Sequence, residues 1–301
     1  MNKSQFPNRV TIELTNRCNI SCTFCHRNDF DMKLGNMTDE LYKKIINEMA
    51  ENLPVAMVPF FRGESLLHPH FIEYIQYARE KGIGPIQFTS NGLLFNKDMA
   101  KKLIEAGVDF ASFSLDTIDE KLYSASRRHG NLKKSMENVE AFAVMCKEYR
   151  EKGIKTPTIQ VSTVDIDEYR NEQKEFIEYW KKYADVVRVY EEHDNNGRFR
   201  NKEVSDRLQA VGPRKPCRKL YTDMVIYWDG NISLCCYDWN ETHSFGNVNN
   251  MTMKEIWNSD KMNALRKMHE TDTITDDYIC KECEHWKADY VDQKFLGKVY
   301  M

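Results

Sequence analysis

The sequence has no long apolar run, and its first residues, MNKSQFPNRV, lack the apolar stretch of a secretory signal. We therefore expect no transmembrane helix, no membrane partner and a cytoplasmic location. An excess of basic charge is also missing, since 43 Lys and Arg residues stand against 46 Asp and Glu, for a net charge of −3. Nucleic-acid-binding surfaces are normally basic, so this composition argues against a nucleic-acid partner.

Internal repeats and low-complexity tracts are absent as well, which argues against a solenoid or a disordered chain. The chain has 301 residues, 41% of them hydrophobic, enough for one large domain or a large and a small one. Nine of the residues are cysteines. Because disulfides are rare in the reducing cytosol, clustered cysteines there indicate metal binding.

The first two-thirds of the chain alternates short apolar runs with longer amphipathic stretches. The short runs predict strands, and the stretches with helical spacing predict helices. This alternation is typical of a parallel sheet with crossover helices, which could be an open sheet or an incomplete barrel. In both forms, ligands bind at the carboxyl ends of the strands. The predicted strands cover 10–14, 55–61, 85–92, 108–116, 158–164 and 185–192, and the predicted helices cover 41–53, 70–82, 97–107, 136–153 and 172–184.

The pattern changes near residue 193, where the polar stretch 193–216 predicts a linker. We therefore place a larger domain at 1–200 and a small C-terminal α+β domain at 201–301. The smaller domain is predicted to contain a hairpin over 224–236, turning at Asp229-Gly230-Asn231, and a helix over 251–270.

Three cysteines, Cys18, Cys22 and Cys25, directly follow the first predicted strand with the spacing Cys-x3-Cys-x2-Cys. Iron–sulfur cubanes usually take four cysteine thiolates, so three leave one iron without a protein ligand. An open metal position is where a substrate or cofactor binds, as in catalytic zinc sites. The alternative is a zinc site completed by His26 or by a distant residue.

This triplet, with the aromatic Phe24 before its third cysteine, resembles that of the radical SAM superfamily. The resemblance implies a partial (β/α)6 TIM-like barrel that binds a [4Fe–4S] cluster through the three cysteines. It also implies S-adenosylmethionine (SAM) on the fourth iron. One-electron reduction would then cleave SAM, and the 5′-deoxyadenosyl radical would abstract a hydrogen atom from the substrate.

Later landmarks of the superfamily follow in order. FFRGESLLHPHF (60–71) resembles the Gly-Gly-Glu-Pro motif that lines the methionine amino group, although Arg62 and Ser65 replace its first Gly and its Pro. Thr89-Ser90-Asn91-Gly92 and Ser114-Leu115-Asp116 resemble two further segments near the cofactor. Each segment taken singly is also an ordinary turn. The resulting candidate cofactor contacts are Phe24, Gly63, Glu64, Asn91, Ser114, Asp116 and Arg127, the last because a guanidinium pairs well with a carboxylate.

The later cysteines Cys217, Cys235, Cys280 and Cys283 resemble the twitch form of the SPASM extension, which holds one auxiliary [4Fe–4S] cluster. Two [4Fe–4S] clusters are therefore expected in all. Four thiolates close a cluster and suit it to electron transfer. The alternative is a structural zinc site with four cysteine ligands.

Two residues beside Cys235 are candidate catalytic groups. Neighbours on a strand point to opposite faces, so Cys236 is not expected to share the cluster with Cys235. Facing the barrel mouth, its thiol would return a hydrogen atom to a substrate radical, as in some radical SAM epimerases; a buried apolar role is the alternative. Asp238 would take a substrate proton during oxidation, or else hold a turn.

The architecture resembles the radical SAM dehydrogenases of aminocyclitols, such as that of 2-deoxy-scyllo-inosamine. We expect oxidation or epimerisation of a small, polar, carbohydrate-like substrate, with electrons from a reducing flavodoxin or ferredoxin. The sequence shows no N-terminal peptide-binding extension. Two alternatives remain: modification of a ribosomal peptide by crosslinking or epimerisation, and a metal-stabilised binding protein without catalysis.

Overall fold

The computed structural model describes residues 3–194, 197–291 and 297–301. The strands are β1 (Arg9–Ile12), β2 (Ser21–Cys22), β3 (Ala56–Val58), β4 (Gln87–Ser90), β5 (Phe110–Ser114), β6 (Arg127–Arg128), β7 (Thr158–Asp165), β8 (Val186–Glu191), β9 (Asp223–Ile226), β10 (Ile232–Ser233) and β11 (Gly297–Tyr300). The helices are α1 (Asp39–Ala50), α2 (Phe71–Glu80), α3 (Lys97–Glu105), α4 (Glu120–Ser126), α5 (Leu132–Glu151), α6 (Asp167–Arg170), α7 (Gln173–Trp180), α8 (Lys202–Gln209), α9 (Lys219–Thr222), α10 (Met253–Trp257) and α11 (Asp260–Thr271). No helix among these residues is long and apolar enough to cross a membrane.

Six parallel strands form the partial (β/α)6 barrel that the alternation predicted. β1 pairs with β3, and β4, β5, β7 and β8 pair in that order. A parallel bridge between Met57 and Ile86 joins the two groups. The predicted fold class is therefore confirmed, and all six predicted strands are present.

The barrel strands bury one face against the helices. Ile12, Met57, Phe88, Val161 and Val187 belong to one core together with the apolar faces of the helices. Full burial of such side chains contributes about 1.5–3 kcal/mol each. Because side chains alternate along a strand, their neighbours face the barrel interior.

The C-terminal third of the chain extends the barrel at both edges. β9 pairs in parallel with the free edge of β1, from Arg9 opposite Asp223 to Ile12 opposite Ile226, and β10 turns back against β9. β11 pairs antiparallel with β8. The predicted hairpin at Asp229-Gly230-Asn231 is confirmed, and both barrel edges are covered.

Two expectations for the C-terminal third were wrong. The predicted linker contains α8, which buries Val204 and Leu208 against Phe199 and Ala288; only two apolar residues, four apart, mark this helix in a polar stretch. The predicted single helix over 251–270 is two, because the Ser259 side chain accepts from the N–H of Met262 and starts α11 anew. The domain boundary near residue 200 stays a prediction.

Candidate active site

The loop after β1 is fixed at both ends by buried polar side chains. Asn16 donates from Nδ2 to the carbonyl of Lys33 (2.8 Å) and accepts at Oδ1 from the N–H of Gly35 (2.9 Å). Thr15 donates to the carbonyl of Gly35 (3.0 Å). These bonds close the loop that carries the first three cysteines at the carboxyl end of β1.

The three thiols of that loop share one site. Cys22 lies in β2, directly opposite Arg127 in β6. Burial raises the pKa of Cys22 to about 11, against the opposing charge of Arg127, and burial also raises the pKa of Cys18. Cys18, Cys22 and Cys25 lie close enough to influence one another's ionisation. Because a thiolate is the form that binds metal, metal binding here must displace the protons of Cys18 and Cys22.

Gly63 lets the loop after β3 touch the loop after β1. A Cβ atom at Gly63 would lie 2.4 Å from the carbonyl oxygen of Thr15 and 2.5 Å from that of Arg17. The N–H of Glu64 donates to the same Arg17 carbonyl at 2.8 Å. A side chain at position 63 would separate the two loops, so glycine is needed for this approach.

Glu64 has a buried carboxylate that connects the loop after β3 with the end of β4. It accepts from the N–H of Asn91 at 2.9 Å and from the N–H of Leu66 at 3.3 Å. Burial raises the pKa of Glu64 to about 7, although these hydrogen bonds oppose the shift. The Asn91 side chain donates to Asn19 in the cysteine loop at 2.8 Å. The predicted contacts Glu64 and Asn91 therefore lie beside the three cysteines.

Asp116 and Arg127 form a buried ion pair on the other side of the cysteines. Asp116 has a left-handed backbone (φ 66°), and its Oδ2 accepts from Nε (3.0 Å) and Nη2 (2.6 Å) of Arg127. Burial alone would lower the pKa of Arg127, but the groups around it, Asp116 first among them and Cys22 next, together raise that pKa. The half-exposed Phe24 ring lies 5.7 Å from the guanidinium. Pairing of Arg127 with a cofactor carboxylate stays a prediction, since its partner here is Asp116.

The second cysteine set lines one cavity in the C-terminal third. Cys217 precedes α9 and Cys235 follows β10. Burial raises the pKa of Cys217 to about 12 and raises the pKa of the other three thiols. No three His, Cys, Asp or Glu side chains of the described residues are grouped to hold a single ion. A cubane does not need such a grouping, because each thiolate binds a different iron. The cavity is lined by Cys217, Cys235, Cys280 and Cys283.

Cys236 does not line the cavity, but it lies with Cys235 in the turn after β10, so the strand alternation on which the prediction rested does not apply. Whereas Cys235 lines the cavity, Cys236 packs against a small apolar cluster that contains Phe61, Val225 and Tyr227. Phe61 follows β3 and Val225 faces away from the outer core, so this cluster lies on the inner side of the barrel. A role for Cys236 at the barrel mouth stays a prediction that this position supports.

Asp238 is placed differently from the expectation. It is 1% exposed, and Oδ1 accepts from both N–H (2.9 Å) and Oγ1 (2.8 Å) of Thr242. Its Oδ2 accepts from the N–H of Leu234 at 3.4 Å. Because both oxygens are engaged within its own loop, the geometry favours the turn role over proton transfer.

One group in the site was not predicted. Arg62, which departs from the superfamily motif, donates from Nε and Nη2 to the two carboxylate oxygens of Glu13 at 2.7 and 2.8 Å. It also donates to the carbonyl of Trp239 (2.9 Å) and to Glu241 (3.0 Å), and its guanidinium lies 4.1 Å from the Tyr227 ring. Burial alone would lower the pKa of Arg62, but Glu13 raises it. The sequence signals for this ion pair were an acidic residue directly after β1 and an arginine after β3.

The sequence matches two known protein families, one over the barrel and one over the second cysteine set. Residues 12–179, more than half of the chain, match the Radical SAM superfamily. The chain belongs to the radical SAM superfamily. Residues 217–284 match the SPASM iron–sulfur cluster-binding domain, a range that starts at Cys217 and includes Cys283. The expected SAM and iron–sulfur cofactors are thus confirmed, and the three thiols, the Gly63 contact and the cysteine-lined cavity fit them.

Several characterised proteins resemble this radical SAM chain. A tungsten-containing aldehyde ferredoxin oxidoreductase cofactor-modifying protein of Pyrococcus furiosus is 24% identical over 90% of this chain and 85% of its own. BtrN in complex with AdoMet and 2-DOIA superposes with a TM-score of 0.62 and 16% sequence identity, over 95% of this chain and 93% of BtrN. Streptococcus suis SuiB bound to precursor peptide SuiA superposes with a TM-score of 0.68 and 17% sequence identity, over 95% of this chain and 71% of SuiB. The structural matches show the fold, and the superfamily consists of enzymes, so the alternative of a non-catalytic binding protein was wrong.

Gly63→Ala is expected to weaken SAM binding at least tenfold. The added Cβ would overlap two backbone carbonyls, so the loop after β3 must move away from the cysteine loop. Isothermal titration of SAM into the reconstituted enzyme measures this. Gly212→Ala is the control for backbone strain alone, because Gly212 has a left-handed backbone (φ 77°) but a Cβ there meets nothing within 4 Å. Equal SAM affinity of Gly63→Ala and the parent would contradict the prediction.

Glu64→Gln is expected to change how stability depends on pH. The pKa of Glu64 is higher in the folded protein (about 7) than in the unfolded chain, so the folded state binds the proton more tightly. The free energy of unfolding must then decrease by roughly 3 kcal/mol as pH rises from about 4.5 to 7. In the Glu64→Gln variant this decrease should be absent, because glutamine does not titrate. Urea unfolding of the apoprotein across that pH window measures the difference. Exposed Glu175→Gln is the control, and parallel curves for Glu64→Gln and the parent would refute the assignment.

Proposed function

We propose that this radical SAM enzyme abstracts a hydrogen atom from a polar, carbohydrate- or aminocyclitol-like substrate, in a reaction that ends in oxidation or epimerisation. The observation that supports the proposal is the polar lining of the barrel. Ser112, Gln160 and Arg188 occupy the strand positions that alternate with outer-core residues. They therefore face the interior, where substrate must meet the cofactor.

These inner side chains offer hydrogen-bond donors. Gln160 donates from Nε2 to the hydroxyl of Ser112 (2.9 Å) and to that of Tyr190 (3.3 Å). The Arg188 guanidinium stacks 4.7 Å from the Tyr190 ring, and its buried Nε has no hydrogen-bond partner within the described part of the chain. No carboxylate of the described residues forms an ion pair with Arg188. Hydroxyl or carboxylate oxygens of a sugar-like molecule would satisfy these donors.

The donors lie at the level of a predicted cofactor contact. In the sheet register Ser114 is opposite Ser162, and Ser162 is opposite Arg188. All three point to the interior, so they form one polar row across three strands. A substrate bound to Arg188 would thus lie next to the cofactor position assigned to Ser114, which hydrogen abstraction requires.

When bound, SAM and its cluster supply the radical chemistry. The chain's share is to hold the methionine end of SAM at the Gly63-Glu64 loop, to orient the substrate along the polar row and to exclude competing reactants. Cys236, at the inner apolar cluster, is the proposed hydrogen-atom donor for epimerisation. A closed auxiliary cluster, by contrast, suits electron acceptance during oxidation.

The similar proteins support small-molecule chemistry without fixing the substrate. BtrN was solved with 2-DOIA, and the Pyrococcus furiosus relative modifies a cofactor. SuiB was solved with a precursor peptide, which keeps peptide modification as the second candidate. We further propose a reducing flavodoxin or ferredoxin as electron donor and a cytoplasmic location. None of the nine cysteines, all of which lie among the described residues, forms a disulfide, and this supports a reducing compartment.

A substrate comparison tests this proposal. Reconstituted enzyme with SAM and a one-electron reductant is incubated with 2-DOIA and related aminocyclitols, with neutral sugars, or with ribosomal-type peptides. We expect 5′-deoxyadenosine formation to rise with a polyol, together with a product two mass units lighter or an epimer. Modification of peptides alone would overturn the proposal in favour of the second candidate.

Cys236→Ser distinguishes the two outcomes in D2O. If the reaction is epimerisation, the parent enzyme yields inverted product carrying one solvent deuterium, and the serine variant yields none, because a hydroxyl is a poor hydrogen-atom donor. Cys146→Ala is the control, since that cysteine is a residue of α5 that is buried in the core. Inverted, deuterated product from Cys236→Ser would exclude the thiol as donor. Oxidation predicts loss of two hydrogens and no deuterium at the carbon.

A further inference from the structure

The cavity of the second cysteine set contains two side chains that no cluster ligation explains. Besides its four cysteines, the cavity is lined by polar side chains that include Arg214 and His269, with Lys219 and His285 also on its wall. Arg214 and His269 are both more than nine-tenths buried, with His269 1% exposed and the Arg214 side chain 9% exposed. Each keeps one buried nitrogen atom, Nη1 of Arg214 and Nε2 of His269, without a hydrogen-bond partner among the described residues.

The hydrogen bond to the other ring nitrogen fixes the proton of His269. Nδ1 accepts from the backbone N–H of Cys217 at 3.4 Å. An accepting Nδ1 carries no hydrogen, so the ring proton resides on Nε2. His269 therefore presents an N–H donor inside the cavity, anchored to one of the four ligands.

The guanidinium of Arg214 is held by several contacts, and its Nη1 amino group has no hydrogen-bond partner among the described residues. Nη2 donates to the backbone carbonyls of Cys280 and Lys281, the latter at 3.2 Å. Nε lies 3.7 Å from Asp272, and the guanidinium lies 5.2 Å from the Trp286 ring centroid. With these contacts the guanidinium is fixed beside Cys280, and Nη1 is left as a charged, buried donor.

An iron–sulfur cluster bound by four thiolates is an anion whose sulfur atoms accept hydrogen bonds. A buried N–H without a partner is costly, and a cluster sulfur would satisfy it. Reduction adds negative charge to the cluster, so nearby donors and a positive charge favour the reduced form. Arg214 and His269 are therefore suited to stabilise the reduced form of the cluster.

We propose that Arg214 and His269 donate hydrogen bonds to sulfur atoms of the auxiliary cluster and raise its reduction potential. The two residues are positioning residues for an electron acceptor, because they touch the cluster and not the substrate. The proposal rests on the cluster that the SPASM domain binds, and it stands or falls independently of the substrate proposed above.

The test is a redox titration of the auxiliary cluster in the full-length chain. A Cys18→Ala/Cys22→Ala/Cys25→Ala background removes the first cluster, so that the EPR signal of the reduced protein reports on the second alone. Arg214→Met and His269→Leu are each expected to make reduction at least tenfold less favourable. For a one-electron couple this corresponds to a potential about 59 mV lower.

Conservative variants and a matched control separate the proposed effect from a structural one. Arg214→Lys should recover part of the shift, since the charge remains, and His269→Gln should recover part because it keeps an N–H donor. Arg266→Met is the control: Arg266 is equally buried on α11 and also has an unpartnered nitrogen, but it does not line the cavity. An unchanged potential in both loss variants, or an equal shift in Arg266→Met, would overturn the proposal.

A second measurement needs no loss variant, in case these fail to retain the cluster. In the same background, selective 15N labelling of arginine or of histidine is followed by pulsed EPR of the reduced cluster. We expect a resolved 15N coupling from each label, which Arg214→Lys or His269→Gln removes or alters. Absence of both couplings would show that neither side chain contacts the cluster.

Discussion

β1 is hydrogen-bonded on both edges, to β3 on one side and to β9 on the other, and the site is built around this strand. The three cysteines follow its carboxyl end, and the Gly63-Glu64 loop follows β3. The hairpin that leads to Cys235 and Cys236 starts from β9. Parallel pairing brings three carboxyl ends to the same edge of the sheet. The first cysteine set and Cys235 thereby follow strands of one sheet, although about 200 residues separate them in sequence.

The buried ion pair of Glu13 and Arg62 reinforces this arrangement. Both side chains are at most 1% exposed, and Arg62 also holds the carbonyl of Trp239 and the carboxylate of Glu241. A buried pair of this kind adds little net stability, but loss of one partner strands a charge at a cost of about 3–5 kcal/mol. Its main effect is therefore specificity: the loop after Cys236 is held over the barrel in one position. Arg62 thus replaces a motif glycine with a link between the barrel and the C-terminal third.

The sequence predicted those features whose signal is local. Each barrel strand was evident from a short apolar run, and Gly63, Glu64 and Asn91 were proposed because the segments that contain them resemble superfamily motifs and follow predicted strands. The link from Arg62 could not be predicted, since Glu13 lies 49 residues away and Glu241 lies 179 residues away. α8 was missed because two buried residues in a polar stretch give a weak period. For Asp238 the sequence left proton transfer and a turn role open, and its contacts with Thr242 favour the turn role.

The central claim is that the two cysteine sets hold chemically different clusters, one open to SAM and one closed. EPR of the reduced protein, with and without SAM labelled with 17O and 13C at the methionine carboxylate, tests it most directly. We predict that SAM shifts the spectrum of the cluster at Cys18, Cys22 and Cys25 and introduces hyperfine couplings there. The auxiliary cluster, isolated in the triple alanine background, should show neither change. SAM-dependent couplings at the auxiliary cluster, or none at either, would contradict the account.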